Sequence, residues 1–172
     1  MQAESEFRLP PTALSSAGEF AGFFDQEHAR LLKALYFVTG SREEAADLMQ
    51  EAFLKLWERL DRLDHVEDPT AYLFRVALNG FRMRARAARR AAARIVTLKE
   101  GVDPFSEVEL REDVRRMLLG LAPRQRAAVV LLDLYGYDSE EAGRIMGIRP
   151  STVRALASQA RAALRPTEVP DA

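Results

Sequence analysis

Apolar residues recur along most of this chain every three or four positions, which is the spacing of one face of an α-helix. Two such stretches lie between residues 19 and 60, and the second opens with Ser41 and Glu44 at the spacing of an N-terminal capping box. A third runs from residue 69 to 94, and shorter ones follow between residues 108 and 165. Neither strand-like alternation nor an internal repeat interrupts them. The pattern predicts an all-α protein.

The stretch from Pro69 to Arg94 contains no acidic residue, although the 172-residue chain carries a net charge of only −1. Wound as a helix, it separates into two sides. The polar side carries Tyr72, Arg75, Asn79, Arg82, Arg86 and Arg89. The apolar side carries Leu73, Phe74, Ala77, Leu78, Phe81, Ala85 and Ala88. Arginines on one face repel one another unless an anion faces them, and a nucleic-acid backbone is the obvious anion. A solvated face on an ordinary core helix is the alternative.

The helix predicted before it, residues 42–60, has an acidic outer flank. The acids on that flank are Glu43, Glu44, Asp47, Glu51 and Glu58. Negative side chains repel DNA phosphate, so this flank fits a basic protein partner better than it fits DNA. A plain solvated face is equally compatible with these charges.

The last third of the chain carries the most specific local pattern. Asp138 and Glu141 form a predicted capping box for a short helix, Gly147 supplies the turn after it, and Pro150 opens the next helix. These are the elements of a helix-turn-helix. The outward positions of the second helix are Ser151, Thr152, Arg154, Ser158, Gln159 and Arg161. Hydroxyl, amide and guanidinium groups read base edges and contact phosphates, so we expect DNA binding, with a purely structural helical hairpin as the alternative.

The remaining composition narrows the class of function. The chain has no cysteine and only two histidines, His28 and His65, in separate segments. Disulfides and metal sites built on thiolate or imidazole are therefore not expected, and we expect no cofactor. No grouping of nucleophile, base and orienting residue is visible, so an enzyme is the least favoured class. With neither a signal peptide nor a spanning segment in view, we expect a cytoplasmic protein without membrane insertion.

A change of composition near residue 95 predicts a domain boundary. Residues 95–109 carry Gly101, Pro104 and several acids, and no periodic pattern crosses them, which is typical of a linker. The expected architecture is two small helical domains joined by a flexible linker, the second ending in the helix-turn-helix. We expect the domains at residues 19–94 and 110–166, with tails at 1–18 and 167–172.

Three motifs together resemble those of the extracytoplasmic-function group of bacterial sigma-70 factors, the subunits that direct RNA polymerase to promoters. The group's polymerase-binding helix is matched by AADLMQEAFLKLWERL. Its helix for melting and reading the −10 promoter element is matched by PTAYLFRVALNGFRMRARAARR. Its −35-reading domain is matched by LAPRQRAAVVLLDLYGYDSEEAGRIMGIRPSTVRALASQARAALR. The resemblance extends from about Phe20 to Arg165 and keeps the group's order of two domains joined by a short linker.

The resemblance implies a role for each surface. It implies core RNA polymerase and promoter DNA as partners, and an anti-sigma factor as a candidate partner because relatives are often held by one. The implied polymerase contacts are Asp47, Gln50, Glu51, Phe53, Leu54 and Trp57. The polar side of the predicted helix Pro69–Arg94, called the arginine helix below, would contact the −10 element. The outward residues of the last helix would contact the −35 element. The implied function is promoter recognition, strand opening and transcription initiation.

Other functions remain open from the residues alone. A helix-turn-helix regulator of the repressor or response-regulator output type, acting without being a polymerase subunit, would share the last third of the chain. It would not need the acidic helix or the acid-free arginine helix. A helical protein-interaction scaffold would explain the acidic flank but not the outward residues of the last helix.

Overall fold

The computed structural model describes residues 17–61, 66–92 and 109–165, and throughout these ranges the regular structure is helical. The helices are α1 (Ala17–Thr39), α2 (Arg42–Asp61), α3 (Pro69–Ala92), α4 (Glu109–Leu119), α5 (Pro123–Val129), α6 (Ser139–Met146) and α7 (Pro150–Leu164). The all-α fold predicted from the periodicity is confirmed. Residues 1–16, 93–108 and 166–172, which contain nearly all of the predicted tails and linker, lie outside the described residues, so the predicted domain boundaries remain predictions.

Helix ends follow the local signals in the sequence. Ser41, just before α2, forms one half of the predicted capping box, because its hydroxyl accepts from the Glu44 amide at 3.3 Å, while the Ser41 amide donates to the Thr39 hydroxyl at 3.1 Å. Asp138 and Glu141 form the reciprocal capping box of α6, with hydrogen bonds of 2.8 and 3.1 Å. Gly147 ends α6 in the left-handed conformation at φ 66°, which a glycine adopts without the steric cost of a Cβ.

The helix predicted from Pro123 to Tyr135 is not uniform. Its α-helical part, α5, ends at Val129, and residues Val130–Leu134 continue as a π-helix, closed by a hydrogen bond from the Tyr135 amide to the Val130 carbonyl at 3.1 Å. A π-turn accommodates one extra residue in the helical ladder. The ring of Tyr135 at its end then packs edge-on against Phe74 of α3, with 5.8 Å between centroids.

The helices form two groups that share one hydrophobic core. Helices α1, α2 and α3 pack on one another through fully buried side chains such as Leu31, Leu56 and Phe74. Helices α5, α6 and α7 do the same through Ile145 and Val153. The core is continuous between the groups, because α3 packs against α6 and α1 packs against α4 and α5. The two expected helical units are therefore in direct contact.

Two negative findings apply to the described ranges. No helix within them is both long enough and apolar enough to span a bilayer. The same ranges contain no cluster of three or more histidine and carboxylate side chains that could hold a metal ion.

Candidate nucleic-acid interface

Helix α3 is positioned by its apolar side, which is inserted between α2 and α6. Leu73, Phe74, Ala77, Leu78 and Phe81 are all buried, as predicted. The prediction was wrong for the end of this side, where Ala85 is only partly buried and Ala88 is exposed. The last turns of α3 extend past the helices that cover its beginning, so burial stops near Phe81 although the periodicity continues.

The polar side of α3 is partly engaged by other side chains and backbone. Arg75 donates from Nε to the Arg144 carbonyl at 3.1 Å, and Arg82 donates to the Met146 carbonyl at 3.0 Å. Arg82 also reaches the Asn79 side-chain oxygen at 3.3 Å. Loss of hydration in this contact lowers the pKa of Arg82, and the nearby arginines add to the effect.

The two ends of this side differ from its middle. Tyr72 is partly buried, and the guanidinium of Arg59 lies over its ring at 5.2 Å, within the range of a cation–π contact. Arg86 and Arg89 are exposed on the projecting turns. A cationic surface therefore begins where the packing against α6 ends.

The geometry between α6 and α7 is that of a helix-turn-helix held by close backbone contact. A Cβ placed on Gly143 would lie 2.9 Å from the Ile148 carbonyl oxygen and 3.4 Å from the Pro150 nitrogen, so only glycine fits there. The Ile148 amide donates back to the Gly143 carbonyl at 3.0 Å. On α7, Val153 and Ala157 are completely buried, which leaves the opposite side of the helix to solvent.

The six candidate −35 residues are all exposed on α7, and three of them have partners within their own helical group. Arg154 donates to the Ser139 hydroxyl at 2.8 Å, and Gln159 accepts from Gln125 at 3.2 Å. Arg161 makes two hydrogen bonds to the carboxylate of Asp133, one of them at 3.0 Å. These hydrogen bonds raise the pKa of Arg161 and hold its guanidinium in place. The other three candidates are Ser151, Thr152 and Ser158.

The candidate polymerase surface on α2 combines exposed acids with exposed apolar groups. Leu54 is 63% exposed and Trp57 is 41% exposed, with the indole ring packed edge-on against Phe20 at 4.9 Å. Asp47 and Gln50 are also exposed, and Glu51 is partly exposed. Large apolar side chains that are exposed and bordered by polar residues are typical of a protein-binding surface.

Phe53 differs from the other five candidates on α2. It is only 4% exposed and packs against the rings of Phe20, Phe23 and Phe24, with centroid distances of 4.7 to 6.3 Å. Its side chain packs beneath the exposed residues of α2. A position within the motif does not by itself show whether an aromatic side chain faces the core or the solvent.

Arg84 of α3 makes a contact between helices that the sequence analysis did not identify. Its guanidinium lies 3.5 Å from Glu51 and 3.9 Å from Asp47, so it links the arginine helix to the acidic flank of α2. A hydrogen bond from Lys55, with help from Arg84, lowers the pKa of Glu51. The sequence feature that could have indicated this contact is charge complementarity, because an acid-free helix follows an acid-rich one along the chain.

Arg126 and Tyr135, which the sequence analysis also did not identify, make contacts between the two groups of helices. Arg126 of α5 is only 7% exposed and donates to the Val38 carbonyl at 2.6 Å and to the Leu121 carbonyl at 3.1 Å. Tyr135 donates from its hydroxyl to the Arg30 carbonyl at 2.9 Å. Polar groups that are buried are usually paired, and Arg126 has one partner 88 residues away, at Val38, so its neighbours in the sequence do not indicate its burial.

Comparisons with known proteins match both groups of helices. The family model described as Sigma-70 region 2 matches residues 23–91, and the model described as Sigma-70, region 4 matches residues 111–164. Together they cover more than two thirds of the chain. The first match contains α2 and nearly all of α3, and the second contains the helix-turn-helix.

Individual relatives and solved structures agree with these matches. The chain is 28% identical over 146 residues to the ECF RNA polymerase sigma factor SigM of Mycobacterium tuberculosis, covering 84% of this chain and 74% of that protein. In fold it is similar to the sigma factor RpoE of Bartonella quintana, solved with the anti-sigma factor NepR (TM-score 0.68, 23% identity, 86% of this chain and 95% of that one). It is also similar to CnrH, solved with the cytosolic domain of CnrY (TM-score 0.61, 25% identity, 87% and 86%).

Proposed function

The chain belongs to the extracytoplasmic-function group of the sigma-70 family of RNA polymerase sigma factors, and we propose on that premise a division of labour among its surfaces. As a sigma factor it binds core RNA polymerase and directs promoter recognition in transcription initiation. The residues that bind polymerase and those that recognise each promoter element remain to be assigned, as does the way in which the two helical units act together.

The observation that carries the proposal is the presence of three exposed surfaces with different chemistry on helices whose opposite sides are buried. The α2 surface combines acids with exposed leucine and tryptophan, the α3 surface is cationic, and the α7 surface carries hydroxyl, amide and guanidinium groups. A helix-turn-helix regulator acting alone would have no use for the first two. We take residues 19–94 and 110–166 as the two functional units.

For polymerase binding we propose the exposed residues of α2, with Phe53 as their internal support. The contact residues are Asp47, Gln50, Glu51, Leu54 and Trp57. The apolar pair Leu54 and Trp57 would supply buried area, while the acids would orient the complex by complementary charge.

Asp47→Lys tests this surface. The side chain of Asp47 is 60% exposed and its ion pair with Arg84 is long, at 3.9 Å, so the substitution should affect folding little. We expect affinity for core polymerase to fall by roughly tenfold or more, because like charges would face one another in the complex. Asp25→Lys, the same change at an exposed position of α1, is the matched control. Equal affinity of the two variants, measured by titrating labelled sigma factor with core enzyme, would remove α2 from the interface.

For the −10 element we propose Tyr72, Arg75, Asn79, Arg82, Arg86 and Arg89 on α3. Strand opening requires unstacked bases to be captured, and stacking on an aromatic ring contributes about 1–3 kcal/mol per base. Tyr72 offers such a ring beside the guanidinium of Arg59. Arg86 and Arg89, exposed beyond the packed part of the helix, are the groups most accessible to phosphate.

For the −35 element we propose the outward residues of α7, inserted in the major groove. Arg154 and Gln159 would read base edges, with Ser151, Thr152 and Ser158 beside them. Arg161, held by Asp133, would be placed for a phosphate. Because free DNA binding by a chain of net charge −1 would be weak at physiological salt, both contacts gain strength when polymerase holds the two units in place.

Sigma factors are initiation factors, and we propose that this chain carries out no chemistry of its own and acts in the cytoplasm beside the polymerase. Since the sigma factor RpoE was solved with the anti-sigma factor NepR, we also propose that an anti-sigma factor regulates this chain. Run-off transcription with purified core polymerase on genomic promoter fragments tests the whole assignment. Specific transcripts that require the chain are the expected result, and core enzyme that gains no promoter specificity would contradict it.

A further inference from the structure

One side of α3 packs against neither α2 nor α6, and this side, called the free face below, is centred on a residue outside the predicted polar side. Arg82 turns toward α6, where it donates to the Met146 carbonyl at 3.0 Å. Arg84 turns toward α2, where its guanidinium lies 3.5 Å from the Glu51 carboxylate. Successive residues of a helix are separated by about 100° around its axis, so Met83 points midway between these two contacts.

Met83 is an apolar side chain in a polar and cationic surrounding. It is 71% exposed, and no large apolar side chain within the described ranges is more exposed. Asn79 lies one turn before it and Arg86 and Arg89 follow it, all three exposed. Packing gives no account of Met83, because α3 buries other residues. A partner with anionic groups outside and apolar surface within would complement this face, and an opened DNA strand has both, in its phosphates and its base rings.

An apolar line runs along the free face beside the cationic one. Tyr72, Val76 and Met83 follow one another at spacings of four and seven residues, so they lie on the same side of α3. Tyr72 and Val76 are partly buried, whereas Met83 is exposed. Tyr72 and Met83 are separated by about 16 Å along the axis, at about 1.5 Å per residue. Because nucleotides of one strand are spaced by about 3.4 Å along a duplex, these two side chains would contact different bases.

The chemistry of methionine determines which base it favours. A thioether has no donor and is only a weak acceptor, so it contacts apolar groups and ring faces rather than polar edges. Thymine presents its C5-methyl group to such a side chain. Cytosine presents an amino group in place of the thymine O4, and against Met83 that group would lose its water without gaining a partner. Met83 is therefore suited to thymine and not to cytosine.

We propose that Met83 is a specificity-determining residue for the −10 element and contacts the methyl group of one thymine in an opened strand. That thymine lies at a different position from the base captured at Tyr72. The proposal rests on the function proposed for α3, to which it adds a residue outside the predicted polar side and a chemical group on the DNA.

Selection of promoters identifies the position that Met83 reads. Holoenzyme with the wild-type chain, Met83→Ala or Met117→Ala selects promoters from a library randomised in the −10 block. Met117 is also an exposed methionine, at 52%, but it lies on α4, so its substitution is the matched control. Met83→Ala should lose a thymine preference at one position and keep the rest of the block, while the control should select the wild-type block. Neither the exposure of Met83 nor the helix propensity of alanine gives a reason for Met83→Ala to unfold.

Deoxyuridine isolates the contact, because it differs from thymidine only by the missing methyl group. The selected thymine is replaced in one strand at a time. With wild-type holoenzyme, replacement in one of the two strands should lower open-complex formation by about fourfold, the factor that corresponds to burial of one methyl group. With Met83→Ala, the same replacement should have no effect. Met83→Leu, which is apolar and of similar volume, should keep the response to the methyl group, whereas the polar Met83→Gln should lose it.

Two results would overturn the proposal. One is a −10 block that Met83→Ala leaves unchanged, and the other is deoxyuridine that weakens wild type and Met83→Ala equally. The double substitution Arg86→Ala with Arg89→Ala separates this failure from failure of the proposed function. If it lowers the salt dependence of DNA binding while Met83→Ala has no effect, α3 contacts DNA and only the role of Met83 is wrong. If neither variant differs from wild type, α3 does not contact the −10 element and both ideas fail.

Discussion

Replacing Gly143 by alanine should damage the helix-turn-helix in a way that can be calculated from the contact it would create. The added Cβ would lie 2.9 Å from the Ile148 carbonyl oxygen, 3.4 Å from the Pro150 nitrogen and 3.5 Å from the Pro150 ring. The two closest atoms belong to the backbone and cannot move by a rotamer change, and overpacking of this kind costs roughly 1–3 kcal/mol. The better helix propensity of alanine offsets about 1 kcal/mol. We therefore expect the free energy of unfolding to fall by up to about 2 kcal/mol.

Gly22→Ala is the matched control for this substitution. Gly22 lies within α1 and a Cβ there would have no atom within 4 Å, so only the propensity gain of about 0.5–1 kcal/mol applies. Thermal unfolding followed by circular dichroism should give a Tm for Gly143→Ala that lies below wild type, by up to about 8 °C, and a Tm for Gly22→Ala slightly above it.

The functional consequence should be confined to the −35 element. The added methyl group would push the turn at Ile148 and Pro150 away from α6 and so tilt α7. The outward residues of α7 would then move relative to the DNA major groove, while α2 and α3 remain unchanged. Holoenzyme with Gly143→Ala should therefore bind core polymerase normally and lose preference in the −35 block. If Gly143→Ala were as stable as Gly22→Ala and selected the same promoters, the close approach at the turn would not determine the position of α7.

Three further predictions follow from particular side chains. Arg154→Ala or Gln159→Ala should relax preference in the −35 block alone, by about 1–3 kcal/mol per lost base contact, and a changed −10 block in promoters selected from a random library would contradict the division of labour. Arg86→Ala with Arg89→Ala should lower the slope of log affinity against log salt by about two while leaving polymerase binding intact, so an unchanged slope would remove both from phosphate contact. Burial raises the pKa of Glu27 above its ordinary 4.5, so its contribution to stability is complete below that pH and is lost as pH rises through the folded-state pKa. In urea titrations, Glu27→Gln should therefore reduce the fall in the free energy of unfolding above pH 4.5 and raise that free energy at neutral pH. If the free energy of unfolding of the variant stayed parallel to that of wild type at every pH, another group would be responsible.

Much of the fold follows from local signals in the sequence. The periodic apolar residues placed α1, α2 and α3, the spacing of Asp138 and Glu141 placed the start of α6, and Gly147 placed its end. These signals work because helix propensity, capping and left-handed glycine depend on neighbours within four residues. The outward residues of α7 could be named for the same reason, since the side opposite Val153 and Ala157 has to face away from the core.

What the sequence left undecided is which side chains the packing covers. Phe53 stands in a motif of contact residues, yet three phenylalanines of α1 surround it, and Arg82 stands among the arginines of α3, yet it binds the end of α6. The burial of Arg126 was likewise invisible, because its hydrogen-bond acceptor at Val38 is 88 residues away in the chain. A helical pattern specifies the direction of each side chain around its own axis, but whether that direction meets solvent or another helix depends on contacts between distant segments, and those exist only in the folded chain.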